Sequence, residues 1–154
     1  MCLIVKKGAK KIVLKKDKIV WKVVLKPITD NTVEAAYYNY EYVSGKLCKA
    51  RICKVRDPCE MRPCDHAEQK YIANNVVPKE YFHISRAVRE GYAEAYGKGF
   101  HFFTTKKRAR QSYDETGRST EALARFVIPA GSAVIISETG LGITDTIMYT
   151  SEFK

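Results

Sequence analysis

No stretch of this chain approaches the ~18 consecutive apolar residues that a membrane-spanning helix needs, so the sequence offers no span across a bilayer. A secretory signal is missing too: the apolar opening 1–5 is too short, and Lys6, Lys7, Lys10 and Lys11 follow it where a signal would carry its positive charge first. The expectation is a soluble, cytoplasmic protein. The familiar catalytic templates are also absent. There is no phosphate loop, no G-x-G-x-x-G, no G-x-S-x-G elbow and no H-E-x-x-H, which removes P-loop NTPases, Rossmann dinucleotide enzymes, α/β-hydrolases and zincin-type proteases.

Acid is scarce at one end. The chain has 27 Lys+Arg against 17 Asp+Glu, a net +10, and its first 26 residues hold nine lysines with Asp17 as their sole acid, which accounts for +8 of that total. Such a concentration attracts an acidic protein, nucleic acid or an anionic surface. It equally solvates an exposed strand pair and discourages edge-to-edge aggregation. Nucleic-acid surfaces generally add arginines or aromatics to lysine, and this segment has no Arg and only Trp21. Acidic protein and nucleic acid are the candidate partners of the lysine-rich first 26 residues.

What the chain does contain is enough for one core. Hydrophobic residues form 45% and charged residues 29%, far from the composition of a disordered chain. A length of 154 residues fits a single domain spanning 1–154, able to bury roughly two-thirds of its unfolded surface. Internal repeats and low-complexity linkers are lacking.

The β-branched runs 12–14 and 19–25, separated by the polar Lys15-Lys16-Asp17-Lys18, predict a hairpin that ends at Pro27. The run 36–43 predicts a strand with Tyr38, Tyr40 and Tyr42 on one face, and 47–55 the strand returning after Ser44-Gly45-Lys46. Asp65 and Glu68 form a capping-box pair for a short helix over 65–74. Within 78–97, Ile84, Ala87, Val88 and Gly91 fit a helical stripe. A buried strand over 100–104 follows, then a helix to 115 capped by Thr104 or Thr105. Three further strands over 122–128, 133–137 and 143–149 complete the reading. The fold class expected is α+β, a mainly antiparallel sheet with two or three short helices in one compact domain.

Two constellations bear on chemistry. Cys48, Cys53, Cys59, Cys64 and His66 fall within nineteen residues, and five cysteines without an export signal favour thiols or metal ligands over disulfides. Cys53, Cys59, Cys64 and His66 are the candidate zinc ligands, since zinc takes four soft or borderline donors in a tetrahedron. The spacing lacks paired C-x-x-C knuckles, and buried or surface thiols account for it as well. Cys48 and Cys53, an odd number apart, would point to opposite faces of one regular strand. Cys2 is followed by Leu3 and Ile4 and reads as the opening of a packed strand.

The second constellation runs from His83 to Arg108. Gly97 and Gly99 precede Phe100, His101 and Phe102, so His101 takes the opposite strand face from both phenylalanines and could face a cleft. Lys106, Lys107 and Arg108 open the next helix, where positive charge opposes the macrodipole; such a conflict marks either an anion site or a solvated face. Candidate catalytic residues are His83, Tyr96 and His101, and candidate ligand contacts are Gly97, Gly99, Phe100, His101, Lys106, Lys107 and Arg108.

The opening Met1-Cys2-Leu3, the strand Ile19-Val20-Trp21-Lys22-Val23-Val24, Gly99-Phe100-His101 with its helix, and Val127-Ile128-Pro129-Ala130-Gly131-Ser132 resemble a family of small uncharacterised proteins of tailed phages and bacteria. The resemblance covers most of the chain in order and implies a phage or prophage accessory protein, without lending an activity; action by binding a partner or anionic ligand is the expectation set beside it. The stretch from Cys48 to His66 departs from it. A shorter segment, Gly97-Lys98-Gly99-Phe100-His101-Phe102-Phe103-Thr104 with Ala109, is similar to the NAD-binding core of ADP-ribosyltransferase-like domains. That likeness implies His83 as a contact to the NAD ribose and Tyr96 or Phe100 stacked on nicotinamide. The glutamates available near a late strand are Glu138 and Glu152, and neither stands in a Glu-x-Glu setting.

Overall fold

Lys18–Leu25 and Glu121–Ile128 hold the architecture together. Each is rich in β-branched or large apolar residues, and they pair antiparallel over their full length, from Lys18 opposite Ile128 to Leu25 opposite Glu121. The computed structural model describes residues 3–25, 31–36, 40–55, 84–116 and 121–153. In chain order these form β1 (Leu3–Lys6), β2 (Ile12–Val13), β3 (Lys18–Leu25), β4 (Thr32–Ala35), β5 (Glu41–Val43), β6 (Leu47–Lys49), β7 (Cys53–Val55), α1 (Ile84–Arg89), β8 (Ala93–Gly97), β9 (Phe100–Phe103), α2 (Lys106–Thr116), β10 (Glu121–Ile128), β11 (Ala133–Ile136), β12 (Leu141–Thr144) and β13 (Thr146–Phe153).

Among the described residues the strands make two antiparallel sheets. The large one runs β2-β11-β12-β9-β3-β10-β13-β6, with β4 added to β3 and β5 to β4; the small one runs β1-β8-β7. This is a single compact α+β domain with a mainly antiparallel sheet and, among the described residues, two short helices, as the strand count implied.

Both faces of the large sheet are covered, so its central strands are apolar on both sides. On one face Val20, Val24, Phe102, Phe126, Tyr42 and Tyr149 form a core in which β4 and β5 pack against β13. The Tyr42 and Phe126 rings meet edge to face at 4.9 Å, and each such ring buried contributes roughly 2–3 kcal/mol of transfer free energy. On the other face Val23, Phe103 and Leu123 pack under Ala109 of α2, while Leu3 and Val5 bring the small sheet onto Ile135, Leu141 and Ile143.

The edge of β3 away from β10 forks. Trp21 pairs with Phe103 of β9, and Val24 and Leu25 pair with Ala35 and Glu34 of β4. Lys22 lies between these pairings, buried, with its Nζ donating to the His101 carbonyl and lying 5.6 Å from the centre of the Tyr42 ring. A carbonyl exposed where two strands part would otherwise be orphaned inside the core, and the ammonium satisfies it.

Local turn signals lost to long-range pairing in several places. The hairpin expected from 12–14 and 19–25 does not form: β2 pairs with Ala133 and Val134 of β11, and Leu14 exchanges hydrogen bonds with Gly131 and Ser132. Both edges of β3 are taken by β10 and by β9 and β4, which leaves β2 no place beside it. The single strand expected over 47–55 is two: β6 joins β13, and after a break at 50–52 β7 joins β8 in the other sheet. The strand expected over 36–43 is replaced by a β4–β5 hairpin, Thr32 opposite Val43, with Tyr42 in β5 and Tyr40 just before it. The run 143–149 also splits, because Asp145 accepts from Ala133 N at 3.0 Å and Thr144 donates to the Ala133 carbonyl at 2.9 Å. This leaves β12 beside β9 and β13 beside β10. Of the helical stripe expected within 78–97, the described residues form α1 and then strand β8, while 78–83 and the helix expected over 65–74 lie outside the described residues.

Candidate functional site

The residues of segment 97–108, the second constellation, serve the sheet. Gly97 ends β8, Lys98 turns the chain with φ of 67°, and Gly99 sits where an added Cβ would lie 2.7 Å from Ile143 Cγ1 and 2.8 Å from the Thr144 carbonyl. The close approach that Gly99 permits is therefore to strand β12. Phe100 is buried, its ring 6.0 Å from that of Tyr42.

His101 does take the face opposite Phe100 and Phe102, but that face is closed. Its residue is 7% exposed, it stands opposite Ile143 of β12, and neither ring nitrogen has a hydrogen-bond partner among the described residues. Burial, and then the positive charge of Lys22, push its pKa from 6.5 down to about 3, so the imidazole is neutral at physiological pH. The expected cleft is absent at this position because α2 and the small sheet cover that face of the strands.

The three cations that open α2 diverge. Thr105 caps the helix, its Oγ1 accepting from Arg108 N at 3.1 Å. Lys106 places its ammonium 5.4 Å from the centre of the Trp21 ring, and Lys107 is exposed. Arg108 turns inward, donating from Nε to the Thr139 carbonyl at 2.9 Å while its guanidinium covers the Phe103 ring at 5.4 Å. Lys106 and Arg108 fasten the helix to β3, β9 and the β11–β12 turn. Tyr96, on β8, donates its hydroxyl to Glu94 Oε2 at 2.8 Å; burial and then that carboxylate push the phenol up to about 12. His83 lies outside the described residues.

The cysteines separate in space. Cys48 is buried in the first core on β6, whereas Cys53 is half-buried on β7 in the other sheet, so the two never share a strand. Cys2, Cys59, Cys64 and His66 lie outside the described residues, and among the described residues no three His, Cys, Asp or Glu side chains gather as a metal site.

No family model, curated protein or solved structure matches this chain. Its own surfaces then carry the functional argument.

The first surface is the β2 end of the large sheet. β2 has a partner on one side only among the described residues, and its Ile12 and Val13 are 49% and 64% exposed. Lys10, Lys11, Lys15 and Lys16 flank it, all exposed. Asp17, the one acid of the segment, is engaged by Ala130 N at 2.8 Å and so helps hold the loop to the turn after β10. No described helix is long and apolar enough to cross a membrane.

The second surface is a groove of about 600 Å³ between the small sheet and α1, lined by Lys7, Lys54, Val55, Val88, Arg89, Gly91, Ala93 and Glu94. Sequence reasoning missed it because its cations come from three separate segments, with no local pattern to join them. Lys22 was also missed, although a signal existed: it shares a strand face with Val20 and Val24, and so occupies a core-facing position of an apolar strand.

Proposed function

We propose that the chain is a cytoplasmic, non-enzymatic binding module, a phage-type or mobile-element accessory domain, that engages an acidic extended polypeptide along the open β2 edge. The observation that carries this reading is the pair of exposed β-branched residues, Ile12 and Val13, on an edge strand set between four exposed lysines. An added strand would satisfy the backbone groups of the edge that faces no strand among the described residues, Ile12 and Val13 would give it apolar contact, and the lysines would select acidic side chains.

A polypeptide is favoured over nucleic acid by what the surface lacks. Trp21, the one tryptophan available for base stacking, is only partly exposed and has the Lys106 ammonium over its ring. The burial of His101 and the tie of Tyr96 to Glu94 agree with a binding role, since neither side chain is presented for acid–base work.

Fluorescence anisotropy with a labelled peptide of alternating Glu and Val, run beside a labelled DNA duplex, tests the proposal. Peptide affinity should fall roughly tenfold or more between about 50 and 200 mM salt, as screening weakens the lysine contacts. Charge reversal of Lys10, Lys11, Lys15 and Lys16 should abolish binding while circular dichroism stays unchanged. Equal binding by the reversed variant, or binding to DNA alone, would overturn it.

A further inference from the structure

The groove between α1 and the small sheet is distinct from the β2 edge, and its charge and lining point to a ligand of another size. We infer that it binds a small organic dianion, such as a phosphate monoester or a dicarboxylate, through Lys7 and Arg89.

Three elements and a loop build the groove. Lys7 follows β1, Lys54 and Val55 belong to β7, Val88 and Arg89 to α1, and Ala93 and Glu94 to β8. The two strands that flank β8 fix the spacing, with Lys6 opposite Ala93 and Val55 opposite Ala95. Gly91, at φ of +81°, turns the chain from α1 into β8, and Tyr92 N donates to the Ala87 carbonyl at 2.9 Å, which holds the short helix against the strand. The cations therefore stand on a hydrogen-bonded frame.

The charges inside the groove do not cancel. Among the described residues Glu94 is its one carboxylate, and both of its oxygens are engaged: Oε1 lies 3.5 Å from Lys54 Nζ, and Oε2 accepts the Tyr96 hydroxyl at 2.8 Å. Lys7 and Arg89 are exposed and form no ion pair among the described residues, which leaves two positive charges facing the space. Val55, Val88 and Ala93 supply apolar lining. A volume of about 600 Å³ lies within the range of small-molecule sites and exceeds what an inorganic ion would fill. Two cations beside an apolar lining match an anionic head on an apolar body, with Arg89 able to bind two oxygens in parallel.

Isothermal titration of the full chain with phenyl phosphate, phthalate and inorganic phosphate tests this inference. Phenyl phosphate or phthalate should bind saturably, and the preferred one tells which dianion the groove takes. Inorganic phosphate should bind at least tenfold more weakly, because it leaves the apolar lining unused. Lys7→Gln with Arg89→Gln, both exposed positions that carry no packing, should lower affinity tenfold or more. Charge reversal at Lys10, Lys11, Lys15 and Lys16 should leave it unchanged, so failure here and failure of the β2-edge reading are distinguishable. Absence of saturable binding by either organic dianion, or equal affinity in the Lys7/Arg89 variant, would overturn the inference.

Discussion

Replacing His101 with Leu should remove a defined part of the acid lability of this protein. In the fold His101 is buried with its ring nitrogens unmatched among the described residues, and its pKa falls from 6.5 to about 3. The unfolded chain therefore takes up this proton first as pH drops. A group whose folded pKa is depressed contributes its full stability above the unfolded value and loses it as pH falls through the folded one, here between about 6.5 and 3. The whole window is worth roughly 5 kcal/mol, and about 2 kcal/mol of it is gone by pH 5. Urea unfolding at matched ionic strength from pH 7.5 to 5 measures the slope. His101→Leu should lose about 2 kcal/mol less than the parent over that interval. At pH 7.5 it should be no less stable, because a buried polar group without partners is exchanged for an apolar one of similar size. Parallel pH profiles for parent and variant would show that His101 is solvated or paired in solution, and the assignment of a closed strand face at that position would fail.

Three other outcomes follow from the packing. Gly99→Ala should destabilise the fold by about 1–3 kcal/mol in a urea melt, since the new methyl meets Ile143 and the Thr144 backbone. Thr105→Ala should cost about 1 kcal/mol through loss of the α2 cap, with Thr105→Ser retaining most of it. In native protein treated with iodoacetamide, Cys53 should be alkylated before Cys48 by peptide mass mapping; the reverse order would contradict the placement of Cys48 in the first core.

The strands were legible wherever β-branched or other large apolar residues are dense, as in 19–25 and 122–128, and so was the helix behind Thr105, because its cap is local. Pairing was far less legible. Nothing in Ile12-Val13-Leu14 indicates that its partner lies at Ala133 and Val134, since turn chemistry nearby reports only what the adjacent residues prefer. The face of His101 could be read from alternation, whereas the closure of that face depends on α2 and β1, which come from opposite directions in the chain. Clustering of cysteines in sequence was no guide to Cys48 and Cys53, because the break at 50–52 sends them to different sheets. The groove residues carried no signal at all, each being an ordinary surface charge until β1, β7, β8 and α1 meet.

The ladder that joins Lys18 to Ile128 also sets a timetable for synthesis. At translation rates of roughly 5–20 residues per second, β3 waits on the order of ten seconds before its full partner emerges. During that wait an apolar, β-branched strand is exposed to other nascent chains, a setting in which contacts so distant in sequence form slowly. Lys15, Lys16, Lys18 and Lys22 accompany it through that interval as gatekeeping charges. Three remain at the surface afterwards, wholly or in part, and Lys22 is drawn into the fork once β9 arrives. The same lysine thus protects the strand before folding and closes its sheet after it.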